Sequence, residues 1–324
     1  MALLNQGDRV FVAGHRGLVG SAIARVLAAR GYRDVITRSR DELDLLDQRA
    51  VEEFFTTARP TAVFVAAAKV GGIQANNVYR ADFLYQNLQI QNHVLWAAHR
   101  SGVRRLVFLG SSCIYPRAAP QPMPESALLT GPLEPTNQPY ALAKIAGLEL
   151  VNAMRRQHGH DWFSAMPTNL YGPGDNFHPT DSHVLPALIR RFHEATVAGA
   201  PEVVVWGTGS PRRELMHADD CADACVFLAE HLDADGLARL APFTHVNVGS
   251  GDELSIGDLA RAVAAAVGYG GKLIFDTSKP DGTPRKLLDL GVLRSLGWER
   301  KIPFERGLAE TVDWFRKNAG ELRG

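Results

Sequence analysis

The run Gly14-His15-Arg16-Gly17-Leu18-Val19-Gly20 constrains this chain more than any other. It follows a short apolar, β-branched run at 9–13 and opens a helical stretch at 21–30 that Gly31 can close. Glycines at this spacing allow a tight turn, let backbone approach a pyrophosphate, and let the helix pack close on the strand. The helix N-terminus adds free N–H groups and a partial positive charge. An ordinary glycine-rich turn is the plainer alternative. The coincidence of strand, spacing and helix favours a dinucleotide site.

The rest of the first half alternates strand and helix. Strands are expected at 34–37, 62–68, 105–110 and 162–166, and helices at 48–58, 81–100 and 140–158. Asp47 caps the first of these helices, and Pro60 stops it. Apolar runs without alternation, such as AVFVAAA from Ala62, suit strands buried on both faces of a parallel sheet. This order predicts an α/β fold with a doubly wound, parallel Rossmann sheet and right-handed crossovers. After Gly172 the regularity is broken by Pro173, Gly174 and Pro179. Helices at 184–197, 218–231, 255–267 and 303–318 then mix with short strands at 203–206, 245–248 and 272–275. The expected division is an NADP-binding Rossmann domain over 1–172 and a smaller α/β substrate domain over 173–324. Part of 216–250 is expected to return to the first sheet.

The chain's 324 residues, 46% of them apolar, are enough to bury a core without disulfides or metal. Lys plus Arg equals Asp plus Glu at 35 each, so the basic excess on which sequence-independent nucleic-acid binding rests is missing. Cys113, Cys221 and Cys225 are too few for a disulfide framework, and no spacing completes a zinc site. Cys221 and Cys225 read as core thiols. No apolar run approaches the ~20 residues that span a bilayer, and no basic leader opens the chain. A cytoplasmic protein with no nucleic-acid, membrane or metal partner is expected.

At the end of the second strand stand Arg38, Ser39 and Arg40, where NAD sites usually carry a carboxylate. Arg16 can point the same way. A guanidinium fork suits a 2′-phosphate, so NADP(H) is the expected cofactor, with Arg40 and Arg16 as discriminators. Asp41 and Asp44 cap the segment or touch adenine. Ser111, Ser112 and Cys113 lie just past the strand ending at Leu109 and Gly110, where open α/β sheets place their ligands. Tyr140 and Lys144 share a helix face. A nearby ammonium is expected to lower the tyrosine's pKa and ready it for proton exchange with an oxygen on carbon.

With these residues in place, the chain resembles the extended short-chain dehydrogenase/reductase family. The resemblance rests on the three glycines, Ala66-Ala67-Ala68, Ser111 with Tyr115, and Tyr140 with Lys144. It extends through LGSSCIYP at Leu109, EPTNQPYALAKIAG at Glu134, PTNLYGPGDNFHP at Pro167, SHVLPALIRRFHEA at Ser182, RRELMHADD at Arg212 and KPDGTPRKLLD at Lys279. Over nearly its whole length it is most similar to members acting on a GDP-linked 4-keto-6-deoxy sugar. The resemblance implies inversion at C3 and C5, then reduction of the C4 ketone with NADPH. Both carbons flank the ketone, so their protons are acidified through an enolate, and inversion needs a base and an acid on opposite faces. By resemblance Cys113 and His183 fill these roles, in either order. On residue type alone they read as a core thiol and a helix cap. Tyr140 and Ser111 would hold the ketone oxygen, and Lys144 the nicotinamide ribose.

The same resemblance adds Leu45, Pro167, Asn169, Leu170 and His183 to the cofactor's contacts. It assigns the GDP-sugar to Arg191, Trp206, Arg213, Asp281 and Lys286. Arginines suit the diphosphate, and a tryptophan face suits a ring, although Trp206 can equally be core. It also implies a homodimer through the helices at 81–100 and 140–158, whose apolar residues include Leu84, Leu88, Val94 and Leu95. The competing readings are another sugar-nucleotide epimerase or dehydratase, and a non-catalytic NADP-sensing scaffold on the same fold. A dehydratase commonly has an acidic pair where this chain has Ser112-Cys113. A scaffold has no need of Tyr140 and Lys144.

Overall fold

A computed structural model describes residues 3–240, 245–279 and 281–320. The first half runs β1 (Val10–Ala13), α1 (Leu18–Ala29), β2 (Val35–Ile36), α2 (Gln48–Ala58), β3 (Ala62–Val65), α3 (Ile73–Val78), α4 (Arg80–Arg100), β4 (Arg105–Leu109), α5 (Gln138–His158) and β5 (Asp161–Pro167). The second runs β6 (Asn169–Tyr171), α6 (Val184–Val197), β7 (Glu202–Trp206), β8 (Arg212–His217), α7 (Ala218–His231), α8 (Ala234–Leu240), β9 (His245–Val248), β10 (Glu253–Ser255), α9 (Ile256–Ala266), β11 (Lys272–Asp276), β12 (Arg285–Lys286), α10 (Gly291–Ser295) and α11 (Phe304–Asn318). Pro280, in the KPDGTPRKLLD segment, lies outside the described residues.

The large sheet has the order β2-β1-β3-β4-β5-β9, parallel throughout. Its strands point alternate residues into two cores, as the pleat requires. Val10, Val12, Phe64, Val107 and Phe163 pack under α1 and α7. Phe11, Val63, Val65, Leu106 and Phe108 pack under α2, α4 and α5. Each such side chain contributes ~1.5–3 kcal/mol by leaving water, which explains unbroken apolar runs where a half-exposed strand would alternate. A third core joins α6, α9 and α11 to β7. β7 and β11 form a parallel pair, while β8 carries β10, β12 and β6.

Several expectations change in detail. β3 stops at Val65, and Ala66–Ala68 leave the sheet, the Ala66 N–H bonding the Ala13 carbonyl. α1 begins at Leu18, inside the glycine run. α5 begins at Gln138 because Pro139 is tolerated in the first turn. Val94 and Leu95, counted toward an outward face of α4, are buried against the sheet. The exposed apolar residues of the two helices are instead Tyr85, Trp96 and Leu142.

Arg105 is 1% exposed and fastens α7 to the sheet. Its guanidinium donates to the carbonyls of Ala229 (3.1 Å), Leu228 (3.0 Å), Leu232 and Asp161 (2.9 Å), and pairs with the Asp161 carboxylate at 3.0 Å. One side chain thus adds donors to carbonyls at the C-terminal end of α7, where Leu228 also accepts from the Leu232 N–H and Ala229 from the Leu4 N–H. Arg105→Ala removes these hydrogen bonds and the ion pair with Asp161 from a buried site, and is expected to cost about 3 kcal/mol or more. Urea denaturation checks this; an unchanged midpoint contradicts it.

Candidate active site

The glycine turn is built by close approach. Gly14 has φ 86°, and a Cβ there would stand 2.6 Å from the Ala67 nitrogen. A Cβ on Gly20 would stand 2.1 Å from the Gly14 carbonyl oxygen. Gly17 is the extended N-cap of α1, with no side chain over the first free N–H groups. The turn therefore presents bare backbone at a helix N-terminus, as a pyrophosphate requires. His15 flanks it, and Leu18 and Val19 pack inward on the first core. Arg16, in the turn, and Arg40, past the end of β2, are exposed, and Arg40 lies 3.9 Å from Asp44. Asp44 caps the Leu46 N–H, Asp41 is exposed, and the Leu45 carbonyl contacts His93. Arg38 turns to its own Thr37 carbonyl and the Phe54 ring.

Beyond β4, the Ser111 Oγ caps a short 3₁₀ turn, accepting from the Cys113 N–H at 3.3 Å. The Gly110 N–H bonds Ala165, and Ser112 is buried. Lys144 is 3% exposed, and its ammonium donates to the Leu109 carbonyl at 2.8 Å. Burial lowers its pKa to about 8. The expected lowering of Tyr140 does not occur. Burial holds the phenol well above its ordinary value, Cys113 adds to this, and the Ser111 hydrogen bond only partly opposes it. The Lys144 ammonium is committed to a carbonyl and lies 5.9 Å from the Tyr140 ring centroid. Tyr140 therefore keeps its proton, as a group that donates to a developing alkoxide must.

Cys113 is a free, half-buried thiol. Two donors converge on its sulfur, Asn137 Nδ2 and Lys286 Nζ, each at 3.4 Å. Asn137 was not singled out in the sequence; it lies three residues before Tyr140, but only the fold turns it to the sulfur. His183 is the N-cap of α6, and its side chain makes no capping bond to the helix. Desolvation by the surrounding protein, and then Lys286, hold its imidazole below the ordinary value. Lys286 thus bears on both candidate acid–base groups.

Lys286 also leads to the other residues that the resemblance assigns to the GDP-sugar. It is the register partner of Arg213 across β12 and β8. Arg213 donates to Thr283 at 2.6 Å, and burial lowers its pKa against the pull of Asp281. Asp281 accepts from the Thr208 N–H (2.9 Å) and hydroxyl (2.7 Å), so it shapes a loop rather than standing free. Trp206 is 61% exposed, which removes its reading as core. Arg191 reaches from α6 to the Val204 carbonyl, two residues before Trp206. The stretch 167–170 is the passage from β5 into β6. Pro167 ends β5, Leu170 packs on the first core, and Asn169 donates to the Glu214 carbonyl at 3.0 Å. Glu214, which sequence reading passed over, is fully buried and accepts from the Gly251 (2.8 Å) and Leu288 (3.0 Å) N–H groups.

A bare glycine turn on a parallel sheet, with a Ser–Tyr–Lys set past its fourth strand, defines a dinucleotide-dependent enzyme of short-chain type. Residues 10–249 match the model of the NAD dependent epimerase/dehydratase family. The chain belongs to that family. It is 57% identical to GDP-L-fucose synthase of Escherichia coli (strain K12), over 98% of this chain and 99% of that protein. A GDP-6-OMe-4-keto-L-xylo-heptose reductase from C. jejuni superposes with TM-score 0.92 at 35% identity, covering 98% of this chain and 100% of that one. A GDP-L-fucose synthetase from Naegleria fowleri bound to NADP gives 0.88 at 29% identity, covering 100% and 98%.

The depressed lysine has a signature in stability. Its folded value lies below the ordinary one, so between the two the unfolded chain holds the extra proton. The cost of burying the ammonium is full below about 8 and vanishes above the ordinary lysine value, so stability grows with pH across that window. Lys144→Met should remove this slope. The wild-type urea midpoint is expected to rise relative to the variant's from pH 8 to pH 10; a constant difference contradicts it.

Proposed function

We propose that the chain is a bifunctional 3,5-epimerase and NADPH-dependent 4-reductase that converts GDP-4-dehydro-6-deoxy-D-mannose to GDP-L-fucose. One observation carries the reading: a thiol held by two donors, Cys113, lies beside Tyr140 and Ser111, and Lys286 links it to His183. A plain ketone reductase needs only the tyrosine set. Here proton transfer at carbon and proton transfer at oxygen are provided for side by side. The 57% identity to a GDP-L-fucose synthase supports the same assignment.

NADPH supplies the hydride, and the chain's own groups handle protons and position. Cys113 and His183 remove and return protons at C3 and C5, one on each face of the ring. Tyr140 and Ser111 hold the enolate oxygen during inversion. Tyr140 then gives its proton to O4 as the hydride reaches C4. Lys144 steadies the nicotinamide ribose beside the Leu109 carbonyl. Residues 1–172, with α7 and β9, hold the cofactor; the remainder of 173–324, through Arg191, Trp206, Arg213, Asp281 and Lys286, holds the GDP-sugar. The three free thiols suit the cytoplasm.

Incubation with the keto sugar and NADPH, followed by NMR of the product, tests the whole assignment. GDP-L-fucose is the expected product, and an un-inverted or 4-epimeric sugar overturns it. Cys113→Ser should slow solvent deuterium uptake at C3 and C5 by ~10²–10⁴-fold, the range of a lost acid–base group. Tyr140→Phe should instead suppress reduction. Wild-type exchange in Cys113→Ser would leave the thiol a packing residue.

NADP(H) selection falls to Arg40 with Arg16. Arg40→Ala should lose ~1.5–3 kcal/mol of NADPH binding with little change for NADH. Isothermal titration with both cofactors decides this, and tighter NADH binding by wild type refutes it. A homodimer through α4 and α5 accounts for exposed Tyr85, Trp96 and Leu142. Light scattering at micromolar concentration should give twice the chain mass; a monomer contradicts it.

A further inference from the structure

The turn after β3 meets the segment that carries His183. The Gly72 N–H donates to the Asp181 carbonyl at 2.8 Å. A Cβ on Gly72 would stand 2.4 Å from the Ser182 carbonyl oxygen and 3.2 Å from its carbon. The two backbones therefore touch, and only glycine permits it. The turn is itself held from behind: Asn76, 6% exposed, donates through Nδ2 to the Gly71 carbonyl at 2.8 Å and the Gly72 carbonyl at 3.0 Å. His183 is the next residue after Ser182, and its side chain makes no capping bond to α6. The backbone fixed by this turn sets where the imidazole stands, within electrostatic reach of Lys286.

We propose that the turn at 71–76 is a positioning element for His183, with Asn76 as its clamp and Gly72 as its point of contact. Neither residue touches the reacting atoms. They set the distance between the imidazole and the sugar carbons. The proposal rests on His183 being an acid–base group of the epimerisation. Alanine at 72 must push Ser182 away by about an ångström, and a misplacement of that size can cost ~10²-fold in a step requiring aligned proton transfer.

The test compares two steps in Gly72→Ala and Asn76→Ala. Deuterium uptake at C3 and C5 of GDP-4-dehydro-6-deoxy-D-mannose in D₂O, without NADPH, reads the proton transfers. The initial rate of NADP⁺ reduction by GDP-L-fucose reads hydride transfer alone, because C4 gives up its hydride, O4 loses its proton, and C3 and C5 are untouched. Exchange should fall about 10²-fold in Gly72→Ala and less in Asn76→Ala. The hydride step should stay within twofold, which also shows that the variants are folded. If Gly72→Ala fails to fold, Asn76→Ala carries the comparison. Equal loss of both steps, or exchange at the wild-type rate in both variants, overturns the proposal. A readout independent of turnover separates it from the functional reading: the His183 ring ¹H–¹³C resonance should move in both variants. A resonance unmoved in both overturns the positioning role whatever the enzyme does. Absence of exchange in wild type instead overturns the role of His183 in epimerisation.

Discussion

The buried carboxylate of Glu214 is the contact from which much of the site hangs. Its oxygens accept from Gly251, after β9, and from Leu288, two residues past Lys286. Its carbonyl accepts from Asn169, a residue assigned to the cofactor. Burial raises the pKa of the carboxyl, and the backbone donors pull it back. A buried acid satisfied this way costs little, whereas the same acid with its donors removed would be an unpaired charge in a dry interior. One residue, through its side chain and its carbonyl together, therefore fixes how the residues assigned to the sugar stand relative to those assigned to the cofactor.

The site also shows two cations used differently. Lys144 has left the tyrosine's oxygen and spends its charge on a carbonyl. Lys286 stands against the cysteine sulfur and within electrostatic reach of the histidine. The group that must donate a proton is thus surrounded by little that would ionise it. Cys113 and His183, the pair assigned to proton exchange at carbon, share a positive neighbour. This division suits one pocket carrying out two kinds of proton transfer.

The sheet was legible in the sequence because strands buried on both faces leave unbroken apolar runs, as at Val63 and Leu106. α6, α7 and β9 were legible to the residue, since their flanks carry clear breaks. β8 was not: Arg212–His217 reads as polar and charged, and becomes a strand through its partners β6, β10 and β12. α3 was hidden by the two glycines before it. The catalytic set was legible as residue types at a spacing. Spacing places Tyr140 and Lys144 on one face but cannot say which acceptor the ammonium chooses. Asn137 and Glu214 act through partners distant in sequence, 24 and 74 residues away, and left no local signal.

Arg105 has a consequence for how this chain can change. It binds the last turn of α7, and α7 leads through α8 toward β9, the sixth strand of the large sheet, which lies well beyond residue 172. The polypeptide therefore leaves the nucleotide half, builds part of the other, returns to finish the first, and leaves again. No single cut yields two intact pieces. Recombination that swaps whole modules would sever the sheet from its last strand. New substrate preference in such an architecture has to arrive by point changes and loop grafts, within a frame that is inherited whole.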